Sequence, residues 1–486
     1  MTKQAIGLSY AVRFRVVFKY FGQLCLVLAA LTLLPLAVSV LFADYAISLR
    51  YGVVIAALSL FGGLALLRTP ARIQVNEGLV VVALIFLITP LVMSYPMINP
   101  TLGFLDALFE AISGVTTTGL SMNTTLVDAS QTFLFARAWM QWYGGLGIIV
   151  FSLALLTHPG LLAKGLAVTE AEADDLAGGT RAHARRVLIV YSVLTALGIC
   201  VSWLAGIGFF DAVLYTISAV STGGFAPYET SLAMLAWPAQ LSITLLCLTG
   251  AIPLMLYYHV LKEKRKVAVD FLQLRAIVFA SFIVLLAVGS TMKLSAGMSW
   301  SQVLHHAPLL ALSAQTTAGF SSMAVDQLDA GSKLVLIFSM LVGGGAGSTA
   351  GGFKLLRLLI AISVLRLLIL RTCLTKHAVI EPSLAGRRLQ SEEIQSALLL
   401  IVLYVFVIAL SWLPFVAMGY NPLDSLFEVV SATATVGLSV GITDASLPPL
   451  LKGVLCADML LGRLEIMAWL VMIYPGMWFG RRMEGV

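Results

Sequence analysis

Four short stretches of this chain end in turns built from threonine, serine and glycine. They are Thr116-Thr117-Thr118-Gly119, Ser221-Thr222-Gly223-Gly224, Thr316-Thr317-Ala318-Gly319 and Ala434-Thr435-Val436-Gly437. Aligned on the last glycine, a threonine stands two residues earlier and a serine six residues earlier in all four (Ser113, Ser218, Ser313, Ser431). An aspartate stands thirteen residues earlier in three (Asp106, Asp211, Asp424), and the third stretch has His306 there. Such turns offer backbone carbonyls and hydroxyls, the groups that replace the hydration shell of a small cation. The last residue of each needs a backbone conformation that L-residues resist, which glycine supplies. The sixteen turn residues are therefore the candidate cation ligands, with the threonines bracing the carbonyls or adding a hydroxyl.

The elements that must hold these turns can be read from the flanking sequence. Each turn follows an apolar stretch, at 104–115, 209–220, 302–315 and 423–434. A dozen residues are too few to cross a bilayer, which takes about 20. One such stretch alone reads equally well as an interfacial helix, but four in register read as re-entrant half-helices. Irregular backbone at membrane depth is tolerated only where it is buried or lines a cavity, and each half-helix can aim its partial negative C-terminal end at an ion. Longer apolar runs fall at about 20–43, 51–67, 78–97, 132–157, 187–206, 235–260, 274–291, 333–371, 396–419 and 450–479. The expected fold is an all-α integral membrane protein of ten transmembrane helices. Four parallel helix–pore loop–helix repeats surround one pore, and two extra helices precede them. The boundaries follow as 1–72 for the N-terminal pair, then 73–158, 159–262, 263–388 and 389–486 for the repeats.

Composition agrees. Of the 486 residues 59% are hydrophobic and 11% charged, whereas a soluble surface needs about a quarter charged. The net charge of +6 would suit nucleic acid on a soluble protein, but here its sidedness matters more. With the N-terminus and C-terminus cytoplasmic, the inner segments hold 23 Lys and Arg against 11 Asp and Glu. The outer segments hold five basic residues, Arg50, Arg137, Lys293, Lys333 and Lys452. Against them stand Asp106, Glu110, Asp128, Asp211, Glu229, Asp326, Asp329, Asp424, Glu428, Asp444 and one further acid. The turns then open outward beneath an acidic rim that would concentrate cations. Lys262, Lys264, Arg265 and Lys266 and the Arg366–Arg388 stretch read first as orientation signals and second as a docking surface, as does the polar linker 158–186. The five cysteines carry no C-x-x-C pair and read as buried apolar residues.

With these repeats the sequence resembles the Trk/Ktr/HKT superfamily of potassium transporters, most closely the bacterial TrkH/TrkG pore subunits. The pattern covers nearly the whole chain, and the extra helices at 20–67 favour TrkH over KtrB. Further matching stretches are Gln141-Trp-Tyr-Gly-Gly-Leu-Gly-Ile-Ile149, Gly343-Gly-Gly-Ala-Gly-Ser-Thr-Ala-Gly-Gly-Phe-Lys354 and Leu460-Leu-Gly-Arg-Leu-Glu465. The resemblance implies K+ uptake across a bacterial inner membrane without an organic cofactor. It also implies a homodimer with one pore per chain and a cytoplasmic, nucleotide-binding TrkA-like ring as partner.

The 333–371 run has 39 residues, about 58 Å of helix and twice the hydrocarbon thickness. A break is expected at Gly343–Gly352, where Gly343, Gly344, Gly345, Gly347, Gly351 and Gly352 surround Ser348 and Thr349. Gly345-x-Gly347-x-x-Ala350 imitates a dinucleotide fingerprint and Lys354 a Walker lysine, but no strand precedes them and no βαβ unit surrounds them. The break reads either as a passive kink or, since flexible small-residue backbone permits it, as a movable intramembrane loop, the gate that the resemblance implies. Arg463, a lone basic residue in the last span, is expected to pair with the loop carbonyls, Asp458 or Glu465. His305 and His306 read as polar residues near the outer interface, or as groups that tune its potential with pH.

Two other functions compete. An alternating-access cation symporter would show inverted repeats, and an intramembrane enzyme would need a convergent catalytic constellation; the sequence has neither pattern. One glycine per turn predicts loose discrimination, with Na+ or Rb+ also admitted.

Overall fold

Long runs of apolar residues can satisfy their backbone in lipid only as helices, and that is how this chain folds. The computed structural model describes residues 11–67, 73–99, 101–123, 126, 128–156, 170–260, 268–373 and 381–478. The basic cluster Lys262–Lys266 and residues 158–169 of the polar linker lie outside the described residues. Among the described residues six helices are long and apolar enough to cross a membrane: Phe14–Leu41, Tyr45–Leu66, Val75–Met97, Ala184–Leu204, Val269–Leu294 and Ser391–Ala417. A seventh long helix spans Gln131–Leu156.

Three expected spans are interrupted instead of continuous. The 235–260 run divides into Trp237–Ala251 and Leu254–Tyr258, because Pro253 has no amide to continue the ladder. The 333–371 run divides into Ala330–Val342 and Leu355–Thr372 around the glycine-rich segment. The 450–479 run divides into Pro449–Arg463 and Met467–Ile473, with Glu465 and Ile466 at positive φ between them.

The short helices are Phe104–Val115, Phe209–Val220, Trp300–Gln315 and Pro422–Thr433, within two residues of the stretches read from sequence. Their starts are well built. Asp106, Asp211 and Asp424 occupy first turns, where the helix dipole favours a negative charge. Ser299 and Gln302 form a capping box on the third, and the Asn421 side chain caps the fourth.

The packing between repeats closes on itself. Helix Gln131–Leu156 packs on the second short helix, Trp237–Ala251 on the third, Ala330–Val342 on the fourth, and Pro449–Arg463 on the first. The N-terminal pair packs against itself through small residues. A Cβ on Gly22 or Gly62 would lie less than 3 Å from the facing helix, the close approach by which helices associate in lipid.

Candidate functional site

Each short helix ends in the same cap. The amides of Thr118, Gly223, Ala318 and Val436 reach back to the carbonyls of Ser113, Ser218, Ser313 and Ser431 at 2.8–2.9 Å. Those of Thr117, Thr222, Thr317 and Thr435 reach the carbonyls of Gly114, Ala219, Ala314 and Ala432 at 3.0–3.2 Å. This is a Schellman motif, whose left-handed residue is usually glycine. Here it is threonine four times, with φ of 53°, 51°, 53° and 49°. Left-handed backbone costs an L-residue about 1–2 kcal/mol, and such strain persists where the surroundings over-determine it.

Those surroundings are the other turns. Gly119, Gly224, Gly319 and Gly437 have φ of 95°, 80°, 76° and 92°. A Cβ on Gly119 would lie less than 3 Å from the carbonyl oxygen of Gly223. The same holds for Gly224 against Ala318 O, Gly319 against Val436 O, and Gly437 against Thr118 O. The sequence-predicted turns are thus brought together as a closed ring. The carbonyl preceding each glycine abuts the glycine of a neighbouring repeat.

The turn backbones are braced differently behind the ring. Ser113 and Ser431 accept the amides of Gly119 and Gly437 at 3.0 and 3.1 Å. Among the described residues the Ser313 hydroxyl has no partner. Ser218 donates instead to the side chain of Gln141. Farther back, Glu110 accepts Ser121 Oγ and the Met122 and Asn123 amides, and Glu428 accepts Ser439, Thr443 and the Val440 and Ile442 amides. Both carboxylates are fully buried.

Three acids of the expected rim have basic partners. Asp424 pairs with Lys333 at 2.8 Å, Asp106 with Lys452, and Glu110 with Arg137 at 3.1 Å. Asp211 accepts the Tyr228 hydroxyl at 2.8 Å, which raises that phenol above its ordinary pKa. A carboxylate leaving bulk water requires a counter-charge or donors, so Asp128, Glu229 and Asp326 remain as the exposed acids of the set. His306 Nδ1 meets Ser322 Oγ at 2.8 Å, and His305 packs 5.4 Å from Trp237. The Arg137–Glu110 pair yields a prediction. Arg137→Met strands a buried carboxylate and costs about 3–5 kcal/mol, read as a lower unfolding temperature in detergent. Adding Glu110→Gln recovers most of the loss.

Beneath the ring lies the glycine-rich segment 343–354. It is pinned between repeats by Gly345 N to Ala251 O at 3.0 Å, Thr349 N to Gly250 O at 3.2 Å and Gly352 N to Ala434 O at 3.1 Å. Its contact with the turns runs through their threonines. Thr317 Oγ1 accepts the Gly351 amide at 2.6 Å, Thr222 Oγ1 lies 3.3 Å from Thr349 Oγ1, and a Cβ on Gly351 would strike Thr435 Oγ1. Gln315, at the end of the third short helix, donates to Gly343 O at 2.7 Å. Gly343, Gly347, Gly352 and Lys354 all have positive φ, and Lys354 Nζ donates to Ala350 O. Of the partners open to Arg463, the loop carbonyl is the one used, with Nη1 donating to Thr349 O at 2.8 Å. Glu465 pairs with Arg357 and Asp458 accepts from Ser411.

Sequence reasoning missed a further glycine column. A Cβ on Gly144, Gly250 or Gly462 would lie less than 3 Å from the carbonyl of Val115, Val220 or Thr433, the last residue of a short helix. These glycines stand 25 or 26 residues after the turn glycines, and Gly344 holds that spacing in the third repeat. That spacing was the available signal. It also missed Gln141, Gln315 and Arg137, single side chains with no counterpart in other repeats.

Comparison with known proteins follows the same geometry. Residues 53–476 match the family model described as TrkH, cation transport protein. The chain belongs to this family. Among TrkH-family relatives, it is 28% identical to an uncharacterized cation transporter of Methanocaldococcus jannaschii, over 93% of each chain. It is 27% identical to the Trk system potassium uptake protein TrkH of Escherichia coli K12, over 96% of this chain and 99% of that one. The crystal structure of the potassium transporter TrkH from Vibrio parahaemolyticus superposes with a TM-score of 0.83 at 25% identity, covering 96% of this chain and all of that one. The protein is therefore a helical, multi-pass cation transporter of the TrkH family.

Proposed function

We propose that this chain carries K+ inward across a bacterial inner membrane, through one pore encircled by four parallel helix–pore loop–helix repeats. The closed ring of turn carbonyls and glycines carries this reading. The residues 116–119, 221–224, 316–319 and 434–437 form the selectivity filter, and carbonyls held there need no reorganisation to replace water around the ion. The hydroxyls of Thr117 and Thr435, buried and without a partner among the described residues, offer further oxygen in these turns. The relatives named for potassium uptake support K+ as the transported ion.

In this reading the chain is an N-terminal helix pair at 1–72 followed by repeats at 73–158, 159–262, 263–388 and 389–486. Both termini are cytoplasmic, so the turns face outward and the membrane potential pulls the ion inward. The segment 343–354 is the gate, held shut by Arg463 and the turn threonines. A homodimer and a cytoplasmic, nucleotide-binding TrkA-like ring complete the working assembly, the ring releasing the gate. Isotopic K+ uptake in potassium-starved, transporter-deficient cells tests the function. Expression is expected to restore growth at low K+, and failure to do so rejects the reading.

A further inference from the structure

The second turn differs from the others at one position. Where the other turns carry Thr118, Ala318 and Val436 immediately before the ring glycine, it carries Gly223. The backbone does not require this glycine. Gly223 is absent from the residues with positive φ, and the equivalent positions hold ordinary L-residues. What excludes a side chain is Gln141, since a Cβ on Gly223 would meet its Cδ, Oε1 and Nε2 at less than 3 Å.

Gln141 lies on helix Gln131–Leu156 of the preceding repeat and is fully buried. Its amide makes three bonds to the second turn. Nε2 donates to the Gly223 carbonyl at 2.5 Å, and Oε1 accepts from Ser218 Oγ and from the Phe225 amide, the latter at 3.2 Å. Donor and acceptors on opposite sides fix the orientation of the amide. Where Ser113 and Ser431 accept the amide of their own ring glycine, Gln141 engages Ser218, accepts the amide one residue beyond Gly224, and adds a bond to a ring carbonyl. The Gly223 oxygen is the one that abuts Gly119.

We infer that Gln141 is a positioning and specificity-determining residue of the ion path, which aims the Gly223 carbonyl and moderates its field. The inference rests on the reading of the ring as the filter. A carbonyl has two acceptor sites, so the Gly223 oxygen receives the Gln141 N–H and still faces the ion, with part of its charge already engaged. Field strength at the coordinating oxygens is one determinant of K+ over Na+ preference. One quarter of the ring is thereby tuned from the neighbouring repeat.

Three variants at this site, with Gly437→Ala for comparison, test this in the whole chain, each quantified for amount in the membrane. Gln141→Met keeps length and removes all three bonds. Loss of one hydrogen bond's worth of positioning is expected to lower the K+ over Na+ preference about fivefold, with wild-type amounts of protein. Gly223→Ala is expected to abolish uptake through collision with Gln141. The pair Gly223→Ala/Gln141→Ala restores uptake but with the loosened preference, because the space returns and the bond does not. An unchanged preference in Gln141→Met overturns the inference, and so does a pair as inactive as Gly223→Ala alone. If Gln141→Met does not accumulate, the pair decides by itself. A shifted preference in Gly437→Ala beside an unchanged one in Gln141→Met rejects this inference alone. Unchanged preference in both rejects the filter reading beneath it.

Discussion

Gly437→Ala is expected to eliminate selective K+ uptake while the protein still reaches the membrane. Two effects coincide at this residue. Its φ of 92° lies where L-residues are strained, at about 1–2 kcal/mol. Its Cβ would also press on the Thr118 carbonyl across the ring. That carbonyl has little room to retreat, since the other side of its peptide plane, the Gly119 N–H, donates to Ser113 Oγ at 3.0 Å. Either the ring opens and hydrated ions leak, or the oxygen rotates off axis and dehydration goes uncompensated. Both outcomes lower the K+ over Na+ ratio by at least about tenfold, the factor that corresponds to 1.4 kcal/mol. Isotopic uptake with competing Na+ measures it. Gly119→Ala, which meets Gly223 O in the same way, is expected to behave alike. Wild-type preference in both variants contradicts the ring as the ion path.

The second large effect is expected from the segment below. Removing Gly345–Ser348 takes out the anchor from Gly345 to Ala251 and the bond from Leu254 N to Gly347 O. Flux through the shortened protein should rise severalfold and become independent of any cytoplasmic partner. Arg463→Gln isolates one contact, because it removes the charge that reaches Thr349 O. A charge-assisted hydrogen bond contributes about 1.5–3 kcal/mol, so the open state should gain about tenfold in population. Single-channel recording, with and without partner, reads both. Partner-dependent flux that persists unaltered after the deletion removes the gating role.

The proposed gating requires the anchors of this segment to exchange. The segment is held by separate bonds to the carbonyls of Gly250, Ala251 and Ala434 and by the side chains of Thr317, Gln315 and Arg463. Continuous helix would require a long run of ladder bonds to break together. In the proposed gate these separate contacts exchange as a unit, through glycines that accept the change in backbone angle.

Local structure was legible because it is encoded within about sixteen residues. Serine, threonine and glycine six, two and zero positions from the end specify a capped short helix that turns back. The structure places those caps where the spacing predicted them. The break in 333–371 was legible for a similar reason, since no apolar helix of that length fits the hydrocarbon. The breaks after Ala251 and Arg463 were not. They arise where inner helices meet the ends of the short helices. Pro253 and the spacing of Gly250 and Gly462 mark that meeting, but it lies within runs apolar enough to read as continuous.

By itself the sequence determined a membrane class, four equivalent turns and the glycines that end them, since each depends on hydropathy or on backbone angles set by near neighbours. Tertiary structure alone decided how those turns meet, because the ring is closed by inner helices each packed on the next repeat. It decided that Asp106, Asp424 and Glu110, of the expected acidic rim, are the ones that find basic partners. It also decided that Arg463 addresses a loop carbonyl and that Gln141 reaches Gly223 across 82 positions of chain. Charge and hydrogen-bond partners depend on which side chains share a buried space, and linear spacing does not contain that.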